Sequence, residues 1–271
     1  MSSSRLDPSL FRDAMRASGE ALPLPKKLSY ALLFGADWRY SMLGYAYLRC
    51  VDDMVDEEQD EATSLELMAE QRGFMDAAYE GTLEQEDVVA PARYGLPFFA
   101  WDRERGAPLR AQFEAFLDTM EFDISRRGRV PSASELDDYV LTTGRAFLRC
   151  LAYFSTGKQE LPDPCLDLGS RAYLCADALM DLEEDLAVGV INIPPEVIEE
   201  YAIDLEEPEA GLKRWRPVRA AEVLEVFRQA RATIPLIDNL SLRLLYRHYL
   251  RRKKRRFLRF LRQRGLDHVI R

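Results

Sequence analysis

"YLRCVDDMVDE", residues 47–57, sets four acids, Asp52, Asp53, Asp56 and Glu57, among Leu48, Cys50, Val51, Met54 and Val55. On a helix, Asp52 and Asp56 stand one turn apart on the same face. Like charges at that spacing repel and weaken an isolated helix slightly. Burying them unpaired costs far more. The stretch therefore predicts a helix whose acids serve something other than solubility. "DALMDLEED", residues 177–185, repeats the arrangement, with Asp177, Asp181 and Asp185 beside Leu179, Met180 and Leu182.

Two such ladders facing each other across a bundle would make a negative rim, stable once hard cations and an anionic ligand complete it. Mg2+ takes oxygen ligands and is commonly held by one or two carboxylates plus substrate phosphates. A diphosphate shared among more than one Mg2+ ion meets that need. The bland alternative is two solvated faces like "EEQDEA" at 57–62, weaker for two ladders in apolar surroundings. A di-iron carboxylate bundle normally needs Glu-x-x-His pairs, and the chain has none.

Composition narrows the chemistry further. The 271 residues are 47% hydrophobic and 31% charged, as in a globular chain. Only two histidines occur, His248 and His268, which argues against a histidine base or an imidazole-held metal. The four cysteines show no CxxC spacing and are read as reduced. The N-terminus, "MSSSRLDPSLFRDAMRAS", lacks the apolar core of a signal peptide, and no apolar run spans a bilayer. A cytoplasmic protein is expected.

The net charge of −9 conceals a polarity. Residues 243–271 carry 12 Lys/Arg and one acid, a net of +11, so the rest of the chain is −20. An acidic body argues against general nucleic-acid binding. The basic stretch, "YLRRKKRRFLRFLRQR", predicts a helix over about 240–264 with Leu250, Phe257, Leu258, Phe260 and Leu261 interleaved. A final bundle helix with a solvated basic face is the simplest reading. Peripheral contact with an anionic membrane and docking on the acidic body are the alternatives.

Strand signals are scarce, and helical periodicity runs almost throughout. Thr63 with Glu66 fits a capping box before "SLELMAEQRGFMDAAYEG", and Ser132 with Glu135 fits another before "LDDYVLTTGRAFLRCLAYFS". "CLDLGSRAYLCADALMDLEEDLA" reads as one helix stopped by Gly189 and Pro194-Pro195. The expectation is a single all-α domain over residues 1–271, of eight to ten helices.

These stretches resemble the squalene/phytoene synthase family. "YAYLRCVDDMVDE" is similar to its first aspartate-rich motif, and "DLEEDLAVGVINIPPE" to its second. "LSYALLF", "FLDTMEFDI" with "ELDDYV", and "LYRHYL" extend the likeness over about residues 25–255. The resemblance implies an isoprenoid-synthase helical bundle with a central apolar cavity. It implies Asp52 and Asp56 opposite Asp181 and Asp185, binding Mg2+ and a prenyl diphosphate, with Asp177 as a further metal ligand. It also implies Ser29 and Arg49 on the diphosphate, and Tyr30, Tyr45, Tyr139, Leu141 and Arg145 along the cavity.

The departures lie at specific places. Family members usually carry Asn-x-x-Arg-Asp into the second motif; here those positions are Asp177 and Met180. Leu141 stands for the second residue of a Tyr-x-Tyr, and Arg145 near a usually small position. The lost arginine and the added carboxylate point to one diphosphate donor and a hydrophobic or aromatic acceptor. The family includes bacterial members that prenylate aromatic compounds such as carbazoles, and that is the activity expected here. Head-to-head condensation of the squalene, dehydrosqualene or phytoene type is the alternative. Cyclisation of one prenyl diphosphate and a non-catalytic helical binding protein come after it.

Overall fold

The computed structural model describes residues 8–17, 37–57, 60–83 and 91–270. They form eleven α-helices and two short 3-10 helices, with no strand among the described residues. The chain divides into two compact units, Met1–Ile124 with Tyr153–Gln159, and Ser125–Ala152 with Glu160–Arg271.

The first unit holds α1 (Pro8–Ala17), α2 (Trp38–Glu57), α3 (Glu61–Glu80), α4 (Ala92–Arg103) and α5 (Arg110–Ser125). On α2, Met42, Leu43, Ala46, Tyr47, Val51 and Val55 recur at helical spacing and are buried. This stripe packs against α1 and α4. Its centre is aromatic: Tyr47 meets Phe99 edge-on at 5.1 Å, and Phe98 lies 4.5 Å from Phe113. The close fit depends on Gly95, where a Cβ would stand 2.7 Å from the Tyr47 ring. Asp102, fully buried, accepts hydrogen bonds from the Tyr79 hydroxyl at 2.8 Å and the Leu109 amide at 3.1 Å. The α3 cap differs from the sequence reading. Asp60, not Thr63, is the N-cap and accepts from the Thr63 amide at 2.9 Å. An aspartate three residues ahead outcompeted the threonine, since either side chain can hold an N3 amide.

The second unit holds α6 (Ala133–Thr156, of which Tyr153–Thr156 falls in the first), α7 (Asp163–Met180), α8 (Leu182–Ala187), α9 (Pro195–Glu200), α10 (Glu209–Ala232) and α11 (Leu240–Gln263). Here the second capping box is present. The Ser132 amide donates to Glu135 at 2.8 Å, and the Glu135 amide to the Ser132 hydroxyl at 3.3 Å. Helix α7 packs against α10 and α11, which also pack on each other. It meets α6 at Gly144, where a Cβ would lie 2.3 Å from the Ser170 Cβ. The predicted single helix through residues 165–187 breaks at Asp181, between α7 and α8.

Helix α11 matches the basic tail helix. Leu242, Leu245, Tyr246, Leu250, Lys253, Phe257 and Leu261 form its buried stripe. Arg251, Arg255, Arg259 and Arg262 lie exposed, so α11 is a bundle helix with an exposed basic face. Among the described residues no helix is long and apolar enough to cross a membrane. All four cysteines are free thiols.

Candidate functional site

The last two turns of α2 carry the first acidic motif. Arg49 reaches forward to Asp52 at 2.9 Å and Asp53 at 2.6 Å. Asp52 keeps 40% of its side-chain surface open. Even so, its pKa is raised from 3.8 to about 6, by burial first and then by Asp56, Asp123 and Asp53, against the opposing charge of Arg49. Two carboxylates from α2 and one from α5 thus act on a single half-buried group. Each favours a cation beside it.

The second motif sits at the junction of α7 and α8. Asp181, with φ −96° and ψ 1°, ends one helix and begins the next. The ladder survives the break: the Asp181 amide donates to the Asp177 carbonyl at 2.8 Å, and the Asp185 amide to the Asp181 carbonyl at 2.9 Å. Burial raises the Asp181 pKa, as does Asp177; Arg256 and Lys253 oppose this.

Asp185, Asp177 and Glu183 of the second motif each have a partner from elsewhere in the unit. Asp185 accepts from the Asn192 amide at 2.7 Å. The Asn192 carbonyl oxygen accepts from Arg126 at 2.7 Å. Arg126 is 2% exposed, its guanidinium 4.6 Å over the Tyr139 ring. Asp177 is ion-paired with Lys253 of α11. The Lys253 ammonium lies 3.7 Å over the ring of Tyr173, which stacks on Tyr249 at 4.7 Å. Burial draws the lysine pKa down, against the attraction of Asp177. Glu183, between the ladder positions, pairs instead with Arg216 and Arg264 at 2.6 and 2.5 Å.

The other expected residues are scattered. Tyr45 is 45% exposed on α2. Tyr139 lies beneath Arg126, Leu141 is half-buried on α6, and Arg145 pairs with Asp167 at 2.6 Å. Ser29 and Tyr30 lie outside the described residues. Asp123, Arg126, Asn192 and Lys253 were not singled out from sequence. Asp123 stands within "FLDTMEFDI" and Asn192 within "INIPPE", both quoted above. Lys253 carried the clearest missed signal, lying in helical phase with Tyr246, Leu250 and Phe257.

Among the described residues no three His, Cys, Asp or Glu side chains form a complete cation cage. The donors nonetheless suit Mg2+, being carboxylate oxygens with histidine absent. Such a set holds a hard ion that keeps its waters or takes phosphate oxygens.

The comparisons with known proteins agree on the kind of molecule. The presqualene diphosphate synthase of Rhodopseudomonas palustris is 27% identical over 168 residues, covering 60% of this chain and 56% of that protein. The presqualene diphosphate synthase of Sinorhizobium fredii is 27% identical over 165 residues, with the same coverage. The chain thus spans little more than half the length of these curated relatives. The crystal structure of squalene synthase HpnC from Alicyclobacillus acidocaldarius superposes with a TM-score of 0.69. It covers 95% of this chain and 94% of its own, at 20% identity, which speaks for the fold alone. The squalene/phytoene synthase family itself matches residues 30–266, a span that takes in both acidic motifs. Fold, motifs and match coincide over nearly the whole chain, and the protein belongs to the squalene/phytoene synthase family.

Proposed function

We propose that the protein is a Mg2+-dependent prenyltransferase that condenses two prenyl diphosphates head to head, giving a cyclopropyl diphosphate of the presqualene type. The family match across residues 30–266 is the observation that carries this reading. Two curated relatives named as presqualene diphosphate synthases favour it over the aromatic acceptor that Asp177 and Met180 pointed to. The order of the two sequence expectations is thereby reversed.

In this reaction one allylic diphosphate departs from C1 of its prenyl chain. The resulting cation adds to the double bond of the second molecule. Loss of one proton closes the ring, which retains the second diphosphate. Mg2+ held at the first motif by Asp52 and Asp56, and at the second by Asp181 and Asp185, would supply charge stabilisation for a departing diphosphate. Arg49, already directed at the first motif, adds fixed positive charge there. Arg126 and Asn192 hold the Asp185 carboxylate in one orientation.

The test is incubation of the purified protein with Mg2+ and farnesyl diphosphate, with mass analysis of products. Presqualene diphosphate and one released diphosphate per pair of substrates are expected. A parallel incubation with dimethylallyl diphosphate and a carbazole should give no adduct. A prenylated aromatic without any cyclopropyl product would restore the aromatic reading. Absence of diphosphate release from every allylic substrate would sink the transferase.

A further inference from the structure

The charge of Asp177 is met by a buried cation, Lys253. Lys253 is only 4% exposed, and its ammonium is ion-paired with Asp177. It lies on the buried stripe of α11, between Leu250 and Phe257, so the helix itself prevents it from turning to water. The π face of Tyr173 covers the ammonium at 3.7 Å, and Tyr173 is braced by Tyr249 at 4.7 Å and Phe147 at 5.9 Å. An aromatic face attracts a cation and gives a divalent ion no ligand. A metal at this carboxylate would have to stand against the ammonium or displace it, leaving a buried charge without a counter-ion.

We infer that Lys253 is the internal counter-ion of Asp177, so that this carboxylate is withheld from metal and the second motif binds Mg2+ through Asp181 and Asp185. The inference rests on the metal-binding reading above and makes it more specific. It also accounts for a departure from the family pattern. An asparagine is expected where Asp177 stands, and an asparagine is neutral. Aspartate and lysine together are neutral as well, so the pair restores the charge that the substitution changed. Asp177 then adds no net repulsion toward a diphosphate.

Mn2+ binding in the presence of inorganic diphosphate, followed by calorimetry, tests this without turnover. Asp177→Asn should keep the wild-type number of Mn2+ ions and close to the wild-type affinity, whereas Asp181→Asn should lose about tenfold or more. Lys253→Met releases the Asp177 carboxylate and should gain Mn2+ affinity or a further ion, which a merely structural lysine would not produce. Loss of Mn2+ by Asp177→Asn as severe as by Asp181→Asn would overturn the inference. So would a Lys253→Met protein that binds Mn2+ as the wild type does. If the wild type binds no Mn2+ with diphosphate, the metal-binding reading fails separately, and melting temperatures still examine the pair. Lys253→Met should melt below wild type, and adding Asp177→Asn should recover most of that loss. Two losses that simply add would refute the pairing.

Discussion

Asn192 joins Asp185 to Arg126: its amide nitrogen donates to the carboxylate at 2.7 Å, and its amide oxygen accepts from the guanidinium at 2.7 Å. An asparagine oriented from both ends fixes the carboxylate it serves. Asn192→Leu should lower kcat and raise the Mg2+ concentration for half-activity, by about 10- to 100-fold in apparent metal affinity. The helical circular dichroism should be unchanged. Kinetics titrated with Mg2+ would check this, and a variant with wild-type metal dependence would remove Asn192 from the site.

Asp52 makes apo stability depend on pH. Its folded pKa is raised from 3.8 to about 6 by burial and by Asp56, Asp123 and Asp53. Between those values the folded state holds a proton that the unfolded state has released. Stability should therefore fall as pH rises through about 4 to 6, and the penalty is complete above that window. Asp52→Asn should remove this part of the pH dependence, so that its apo stability exceeds the wild type's by more at pH 7.5 than at pH 4.5. The exposed part of the side chain moderates the size of the effect. Turnover in Mg2+ should fall by orders of magnitude in the same variant. Melting curves at the two pH values and a product assay provide the measurements.

Two helical glycines should respond oppositely to alanine. At Gly144 the new Cβ would meet Ser170 at 2.3 Å, with the Ser170 Cα at 2.7 Å, so neither helix can yield cheaply. Gly144→Ala should destabilise by about 1–3 kcal/mol or more. Gly73, exposed within α3, has nothing within 4 Å of its Cβ position. Gly73→Ala should stabilise by about 0.5–1 kcal/mol through lower unfolded-state entropy. Denaturant midpoints separate the two outcomes.

Arg145 pairs with Asp167 at 2.6 Å, both more than a third exposed. Such a pair contributes about 0–1 kcal/mol. Arg145→Ala should therefore shift the melting temperature little. A large rise in KM without that shift would place Arg145 against substrate; unchanged kinetics would leave it a surface partner of Asp167.

The ladders were legible because one physical rule generates them. Carboxylates four apart share a helix face, and that holds wherever the helix is placed. The tail helix was legible for the same reason, its bounds matching to within a residue at Gln263. What escaped was pairing over long sequence distance. Nothing near Asp177 in sequence names Lys253, 76 positions on, and a run of cations reads as a solvated face. Arg126 was hidden likewise, since a charged residue is expected outside. The α7–α8 break was hidden because Asp181 turns the chain without glycine or proline.

That break has a consequence for the length of the segment. Since the Asp181 and Asp185 amides each reach back four residues, the turn keeps the angular phase of the ladder while interrupting the regular helix. One residue inserted after Leu182 would rotate Asp185 by about 100° about the local axis. It would carry the carboxylate away from Asp181 and from the Asn192 amide together. The spacing between these acids is thus a frame that tolerates substitution far better than insertion. Beyond Gly189, where φ is 79°, the chain has already left the helix, and an added residue there would not rotate the acids.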